Sequence, residues 1–100
     1  MTERDFQRAV TDALTLLGWR WHHSRPAMTR KGWRTALSGS PGFPDIVAVR
    51  NDKVLFLELK AENGRLREEQ RRWLAVLGSA GAAVHCWRPT DWPTIEETLR

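Results

Sequence analysis

Apolar residues recur at helical spacing over the first 17 positions. Thr2 can cap a helix there, Asp5 follows three residues later as in a capping box, and Gly18 marks the end of the helix. The apolar positions of this predicted helix are Phe6, Val10, Ala13, Leu14 and Leu17. Bulky and polar side chains then alternate over residues 19–23, which predicts a first strand.

Two β-branched, apolar segments follow at 45–50 and 53–60, and only Asn51 and Asp52 lie between them. This arrangement predicts a hairpin with a two-residue turn, in which the numbers of paired residues add up to 103. Asp45 then lies opposite Glu58. Because apolar residues occupy both faces of the two strands, we expect them to be central strands with both faces largely covered.

The remaining elements complete an α/β pattern. Residues 24–44 show no sustained period and are rich in Pro and Gly, so they are predicted to form a long loop. Helical spacing returns over 66–77, a strand is predicted at 82–87, and a short closing helix at 91–99. The predicted order is αβββαβα, with a mixed central sheet flanked by helices, in one domain spanning residues 1–100.

The charged residues favour a polyanionic partner. The formal net charge is +4, and 13 of the 16 basic residues are arginine, whose planar fork suits bidentate contacts to phosphate. Acidic residues are absent from the sequence between Asp12 and Asp45, while basic ones accumulate there. This basic block consists of Arg20, Arg25, Arg30, Lys31 and Arg34. It is either a solvated loop or a nucleic-acid contact.

The hairpin register brings three ionisable side chains together at one end of the strands. Opposed side chains on one sheet face have Cβ atoms about 4.5–5.5 Å apart, so Asp45 and Glu58 form a pair of like charges, and Lys60 shares their face. A fold that keeps two carboxylates together is expected to place a cation between them. Oxygen ligands on a rigid sheet suit Mg²⁺ or Mn²⁺.

The lone cysteine, Cys86, excludes an intramolecular disulfide and a cysteine-rich zinc cluster. The sequence also has no apolar run near the length of about 18 residues that a membrane span needs, and no signal-peptide core at its start. We therefore expect a cytoplasmic protein with no membrane partner, located in the bacterial host if a phage encodes it.

Three segments together resemble a known family. Pro44-Asp45 followed by Glu58-Leu59-Lys60 is similar to the PD-(D/E)xK nuclease motif. The wider strings 42–47, 57–60 and 66–70 resemble the virus-type replication-repair nuclease (VRR-NUC) branch, over residues 3–88 with the first helix included. The resemblance implies a restriction-endonuclease-like αβββαβ core and a metal-dependent, structure-specific DNA endonuclease.

The same resemblance implies roles for individual residues. Asp45 and Glu58 would bind the metal with the Leu59 carbonyl, and Glu3 would be a further ligand or would position water. Lys60 would orient the attacking water or stabilise charge on the phosphate, and Gln70 would hold Lys60 or substrate. The predicted DNA contacts are Arg25, Arg30, Lys31, Arg34 and Arg67. For the arginines on the helix around Arg67, a solvated face is the favoured interpretation and a phosphate-contacting ridge is the alternative.

Stand-alone members of this type resemble Holliday-junction resolvases, which implies a homodimer acting on branched DNA. Two alternatives remain open from the sequence. One is a flap or nicking nuclease of phage replication or packaging, and the other is a DNA-binding module without catalysis.

Overall fold

The computed structural model describes residues 1–24, 27–29, 32–34 and 38–100. The helices are α1 (Glu3–Leu16), α2 (Glu68–Ser79) and α3 (Trp92–Leu99), and a 3-10 turn at Pro89–Asp91 leads into α3. The strands are β1 (Arg20–His23), β2 (Ala27–Thr29), β3 (Gly32–Arg34), β4 (Ile46–Arg50), β5 (Lys53–Leu59) and β6 (Ala83–Trp87).

The main sheet has four strands in the order β1-β4-β5-β6. The pairs β1–β4 and β4–β5 are antiparallel and β5–β6 is parallel, so the predicted mixed sheet with central hairpin strands is confirmed. The hairpin has the expected register, since Val47 pairs with Phe56 and Arg50 with Lys53. Asn51 adopts φ +55° in the turn, a conformation that asparagine tolerates better than most residues.

Helix α1 begins as its sequence predicts. The Thr2 side chain accepts a hydrogen bond from the Asp5 N–H, and the Asp5 carboxylate accepts one from the Thr2 N–H. Gly18 follows the helix with φ +83°, where a residue with a Cβ would be strained. The buried face of α1 packs with α3 against one face of the sheet. The buried apolar residues of this core are Phe6, Val10, Leu14, Trp19, Ile46, Ala48, Leu55, Leu57, Leu59, Trp87, Ile95 and Leu99.

Arg50 joins three parts of the chain at the turn end of the hairpin. Its guanidinium donates to the carbonyl oxygens of Leu17 (3.0 Å), Leu99 (2.8 Å) and Arg100 (2.7 Å). It also lies over the Trp19 ring, 4.4 Å from the ring centroid. The carbonyl groups at the C-terminal end of a helix have no donor within the helix. Arg50 supplies a donor to such carbonyls at the ends of both α1 and α3.

The prediction that both sheet faces are largely covered is wrong for one of them. Helix α2 lies on the face opposite the core, but Val49 and Val54 beside the hairpin turn are 38% and 43% exposed. The reason is that α2 covers this face at the carboxylate end, where Phe43 packs edge-on against both Phe56 and Trp73. Apolar residues on both faces of a strand therefore did not mean complete burial here.

The predicted structureless loop at 24–44 is also corrected, because it contains β2 and β3, which pair antiparallel as a separate two-stranded sheet. Strands of three residues are too short to show a period of two, so the sequence pattern did not reveal them. In the part of the chain that the structure describes, no helix has the length and apolar character needed to cross a membrane.

Candidate active site

Asp45 and Glu58 lie together where β4 begins and β5 ends, as the register predicts. The Asp45 N–H donates to Glu58 Oε2 at 3.1 Å, and the Leu59 N–H donates to Asp45 Oδ2 at 2.9 Å. Each carboxylate is therefore held by the backbone of the other's strand. Such reciprocal bonds fix the orientation of both side chains before any ligand binds.

Burial makes this pair electrostatically unusual. Glu58 is only 1% exposed, and its Oε1 is buried without a hydrogen-bond partner among the described residues. Burial, and next to it the charge of the neighbouring Asp45 carboxylate, together raise the pKa of Glu58 to about 8. The Asp45 N–H and the Lys60 charge act in the opposite direction. Without a cation, this shift favours the protonated form of Glu58 at neutral pH.

These properties fit a divalent cation. Glu58 Oε1 has no partner among the described residues, and in the ionised carboxylate it would be an acceptor without a donor; the adjacent Asp45 supplies a second carboxylate. A hard cation with oxygen ligands would satisfy that atom and compensate the repulsion between the two charges. The described residues contain no group of three or more His, Cys, Asp or Glu side chains placed to hold an ion. The donor set is therefore a carboxylate pair, to which the backbone carbonyl of Leu59 and water would have to contribute.

Glu3 does not join the carboxylate pair in a common cluster. It is half-buried in the first turn of α1, whose apolar residues pack on the sheet face that carries Leu57 and Leu59. Glu58 alternates with those two leucines and so points to the opposite face. The predicted role of Glu3 in binding metal or positioning water stays a prediction.

Lys60 directly follows β5, next to the carboxylate pair. Its backbone N–H donates to the carbonyl of Trp87 at 3.0 Å, which extends the pairing with β6 by one residue. Its side chain is half-buried, and its charge acts on the Glu58 carboxyl. The structure thus brings the three residues of the predicted motif to one end of the sheet.

Gln70 lies in the first turn of α2 and is 8% exposed. Its Oε1 accepts a hydrogen bond from the Arg67 N–H at 2.9 Å. Because that partner is a donor, the atom facing it must be the amide oxygen, and the Gln70 amide nitrogen points the other way. The free end of this side chain is therefore a donor, which suits a phosphate or carboxylate oxygen better than the Lys60 ammonium.

Gly42 has a structural role that the sequence pattern did not assign. Its φ is +93°, and a Cβ at this position would lie 2.6 Å from the Glu69 carbonyl carbon. Only glycine lets the segment before Asp45 come this close to the first turn of α2. The Trp73 indole N–H reinforces the contact by donating to the Ser40 carbonyl at 3.2 Å. In the sequence, the glycine directly before Phe43-Pro44-Asp45 was the one indication of this close approach.

The predicted DNA contacts are only partly described. Arg25, Arg30 and Lys31 lie outside the described residues, and Arg34 is described only as part of strand β3. Arg67 caps α2 with an exposed side chain, whose Nε lies 3.6 Å from Glu69 Oε1. Exposed pairs of this kind contribute little energy, so Arg67 remains available to another anion.

Comparison with known proteins gives two findings. The family model of the VRR-NUC domain matches residues 6–89, a range that includes Asp45, Glu58, Lys60 and Gln70 but not Glu3. The structure is similar to that of Hjc, a Holliday junction resolvase from the archaeal hyperthermophile Archaeoglobus fulgidus, with a TM-score of 0.52 and 25% sequence identity. That similarity covers 86% of this chain and 69% of Hjc. No curated protein matches the sequence.

Proposed function

Because this chain belongs to the VRR-NUC domain family of nucleases, we propose that it is an endonuclease that requires Mg²⁺ or Mn²⁺ and cleaves four-way DNA junctions. The observation that carries the metal dependence is the buried Oε1 of Glu58, which lies beside the Asp45 carboxylate and has no hydrogen-bond partner in the described part of the chain. The likeness to a Holliday junction resolvase favours a junction over a flap or a nick.

In this proposal each residue of the site has a chemical task. Asp45 and Glu58 would hold the ion, together with the Leu59 carbonyl. An ion held there would supply a Lewis acid for the phosphoryl oxygen and for the attacking water. Lys60 stabilises the negative charge that develops on the phosphate, and Gln70 donates to a phosphate oxygen.

Binding of DNA is assigned to the arginine-rich surface. The net charge of +4 attracts the backbone, and Arg67 and the basic block at Arg25, Arg30, Lys31 and Arg34 are the proposed phosphate contacts. A homodimer is proposed because a four-way junction requires two symmetric incisions, which a two-fold pair of sites can make. A cytoplasmic location, where such DNA occurs, stays a prediction.

The test is a cleavage assay on four substrates of equal length: a four-way junction, a flap, a splayed arm and a linear duplex. Each is incubated with Mg²⁺, with Mn²⁺ or with EDTA, and sedimentation analysis reports the oligomeric state. We expect paired incisions in the four-way junction when Mg²⁺ or Mn²⁺ is present and no incision in EDTA. Sedimentation should show a dimer.

Asp45→Asn and Lys60→Ala are the active-site variants for this assay, and Glu97→Gln, on the exposed face of α3, is the matched control. The first two should lose metal-dependent cleavage while the control keeps it. Equal cleavage of junction and duplex would refute the resolvase assignment. Unchanged cleavage by both active-site variants would refute the site.

A further inference from the structure

The residue after β6 organises the turn that follows Lys60. Arg88 Nη1 donates to the carbonyl oxygens of Ala61 at 2.6 Å, Gly64 at 2.7 Å and Glu62 at 3.3 Å. The Gly64 N–H also donates to the Ala61 carbonyl at 3.0 Å, which closes residues 61–64 into a turn. One guanidinium thus holds both ends of this turn, which we call the 61–64 turn.

The 61–64 turn lies against the side chain of Lys60. A Cβ built on Gly64 would be 3.5 Å from Lys60 Cδ, so the aliphatic part of the lysine lies on the side of this glycine where a side chain would be. The Lys60 backbone is itself bonded to Trp87, the residue before Arg88. Arg88 therefore holds the turn that lies beside the Lys60 side chain. The Lys60 backbone and the 61–64 turn are thus both bonded to the end of β6, through Trp87 and Arg88.

A second contact ties the same turn to the chain beyond Arg88. The Glu62 carboxylate accepts hydrogen bonds from the Thr90 N–H at 2.8 Å and from the Thr90 hydroxyl at 3.0 Å. These bonds are exposed and contribute less than the half-buried Arg88 contacts. Both sets of bonds restrain the 61–64 turn, whose own backbone is closed by the bond from the Gly64 N–H to the Ala61 carbonyl.

We propose that Arg88 is a positioning residue, which sets the location of the Lys60 ammonium by holding the 61–64 turn. The inference rests on the proposed nuclease function and adds to it a residue that acts through Lys60 without contacting DNA. A lysine that is free to change rotamer spends less time where phosphate charge develops. Misplacing a catalytic group by about 1 Å can lower a rate by about 100-fold.

Arg50 offers a matched control for this proposal. It also donates from one guanidinium to three backbone carbonyls, but it does so at the turn end of β4, about 17 Å along the strand from Asp45. Loss of either arginine removes the same kind of interaction. Only the loss of Arg88 should affect the position of Lys60.

The experiment measures single-turnover cleavage rates and DNA dissociation constants for the wild type, Arg88→Ala, Arg88→Lys and Arg50→Ala. All are assayed at a temperature at which circular dichroism shows them folded. We expect Arg88→Ala to lower the rate about 10- to 100-fold while its DNA affinity stays within about twofold. Arg50→Ala should keep a rate within about twofold of the wild type. Millimolar guanidinium should restore part of the rate of Arg88→Ala only.

The results that overturn the inference are distinct from those that overturn the function. If the wild type cleaves and Arg88→Ala keeps its rate, or slows no more than Arg50→Ala, Arg88 does not position Lys60. If DNA affinity falls by the same factor as the rate, Arg88 contacts DNA. If Arg88→Ala does not fold, Arg88→Lys decides by the same comparison, because the lysine side chain is one bond shorter than arginine and does not bring its ammonium to the position of Nη1. A wild type without cleavage refutes the proposed function and, with it, this role.

Discussion

Replacing Glu58 by Gln should stabilise the protein in the absence of metal. The buried Glu58 carboxyl has one oxygen bonded to the Asp45 N–H and one without a partner among the described residues. Glutamine keeps an acceptor for the first contact and places an uncharged amide at the second. The substitution therefore removes a group that is costly to ionise and preserves the shape of the side chain.

The size of the effect follows from the pKa of Glu58, which rises from 4.5 to about 8 on folding. Below pH 4.5 the carboxyl is protonated in both states and costs nothing. Between pH 4.5 and 8 the unfolded chain loses this proton while the folded protein retains it, so stability falls as pH rises. One pKa unit corresponds to about 1.4 kcal/mol, which sets a ceiling of about 5 kcal/mol at pH 8. Relaxation of the site lowers this, and we expect about 2–3 kcal/mol.

The assay is urea denaturation at pH 4.5 and pH 8 in EDTA, with and without excess Mn²⁺. In EDTA, Glu58→Gln should match the wild type at pH 4.5 and exceed its free energy of unfolding at pH 8. In Mn²⁺ at pH 8 the difference in free energy of unfolding between the two proteins should become smaller or change sign, because only the wild type is stabilised by binding the ion. Glu97→Gln, an exposed substitution on α3, should change stability by less than about 0.5 kcal/mol throughout.

Two outcomes would refute this reasoning. A Glu58→Gln protein that is less stable than the wild type at pH 8 in EDTA would mean that Glu58 is ionised and well paired without metal. If Glu58→Gln raised the free energy of unfolding equally at both pH values, packing or hydrogen bonding, and not ionisation, would account for the difference in stability.

Three further predictions concern the surroundings of the pair. Mn²⁺ at 100 times its dissociation constant should raise the free energy of unfolding of the wild type by about 2.7 kcal/mol, and Asp45→Asn should abolish most of this gain in the same denaturation assay. Gly42→Ala should cost about 1–3 kcal/mol, because φ is +93° and Glu69 blocks a Cβ, and it should slow cleavage by displacing Asp45; unchanged stability would contradict this. Trp73→Phe should cost about 1 kcal/mol in thermal denaturation through loss of the bond to the Ser40 carbonyl.

The local elements of the site could be predicted because their signals are local. Asn51 and Asp52 form a turn between two apolar segments, and a two-residue turn permits one register, in which Ile46 pairs with Leu57. One residue beyond that pair, the Asp45 N–H donates to Glu58 Oε2. The capping box of α1 likewise depends on residues three positions apart. Contacts of this range are specified by residues that are close in the sequence, and the carboxylate pair is therefore encoded in the hairpin itself.

Tertiary structure decided how that pair is enclosed and supported. The burial of Glu58 depends on elements packed over the sheet, and hydropathy alone suggested wrongly that Val49 and Val54 would be covered as well. The contact between Gly42 and α2, and that between Arg88 and the 61–64 turn, join residues more than 20 positions apart. No short pattern encodes such contacts, because they form only when separate elements pack and unsatisfied backbone groups find their partners in three dimensions.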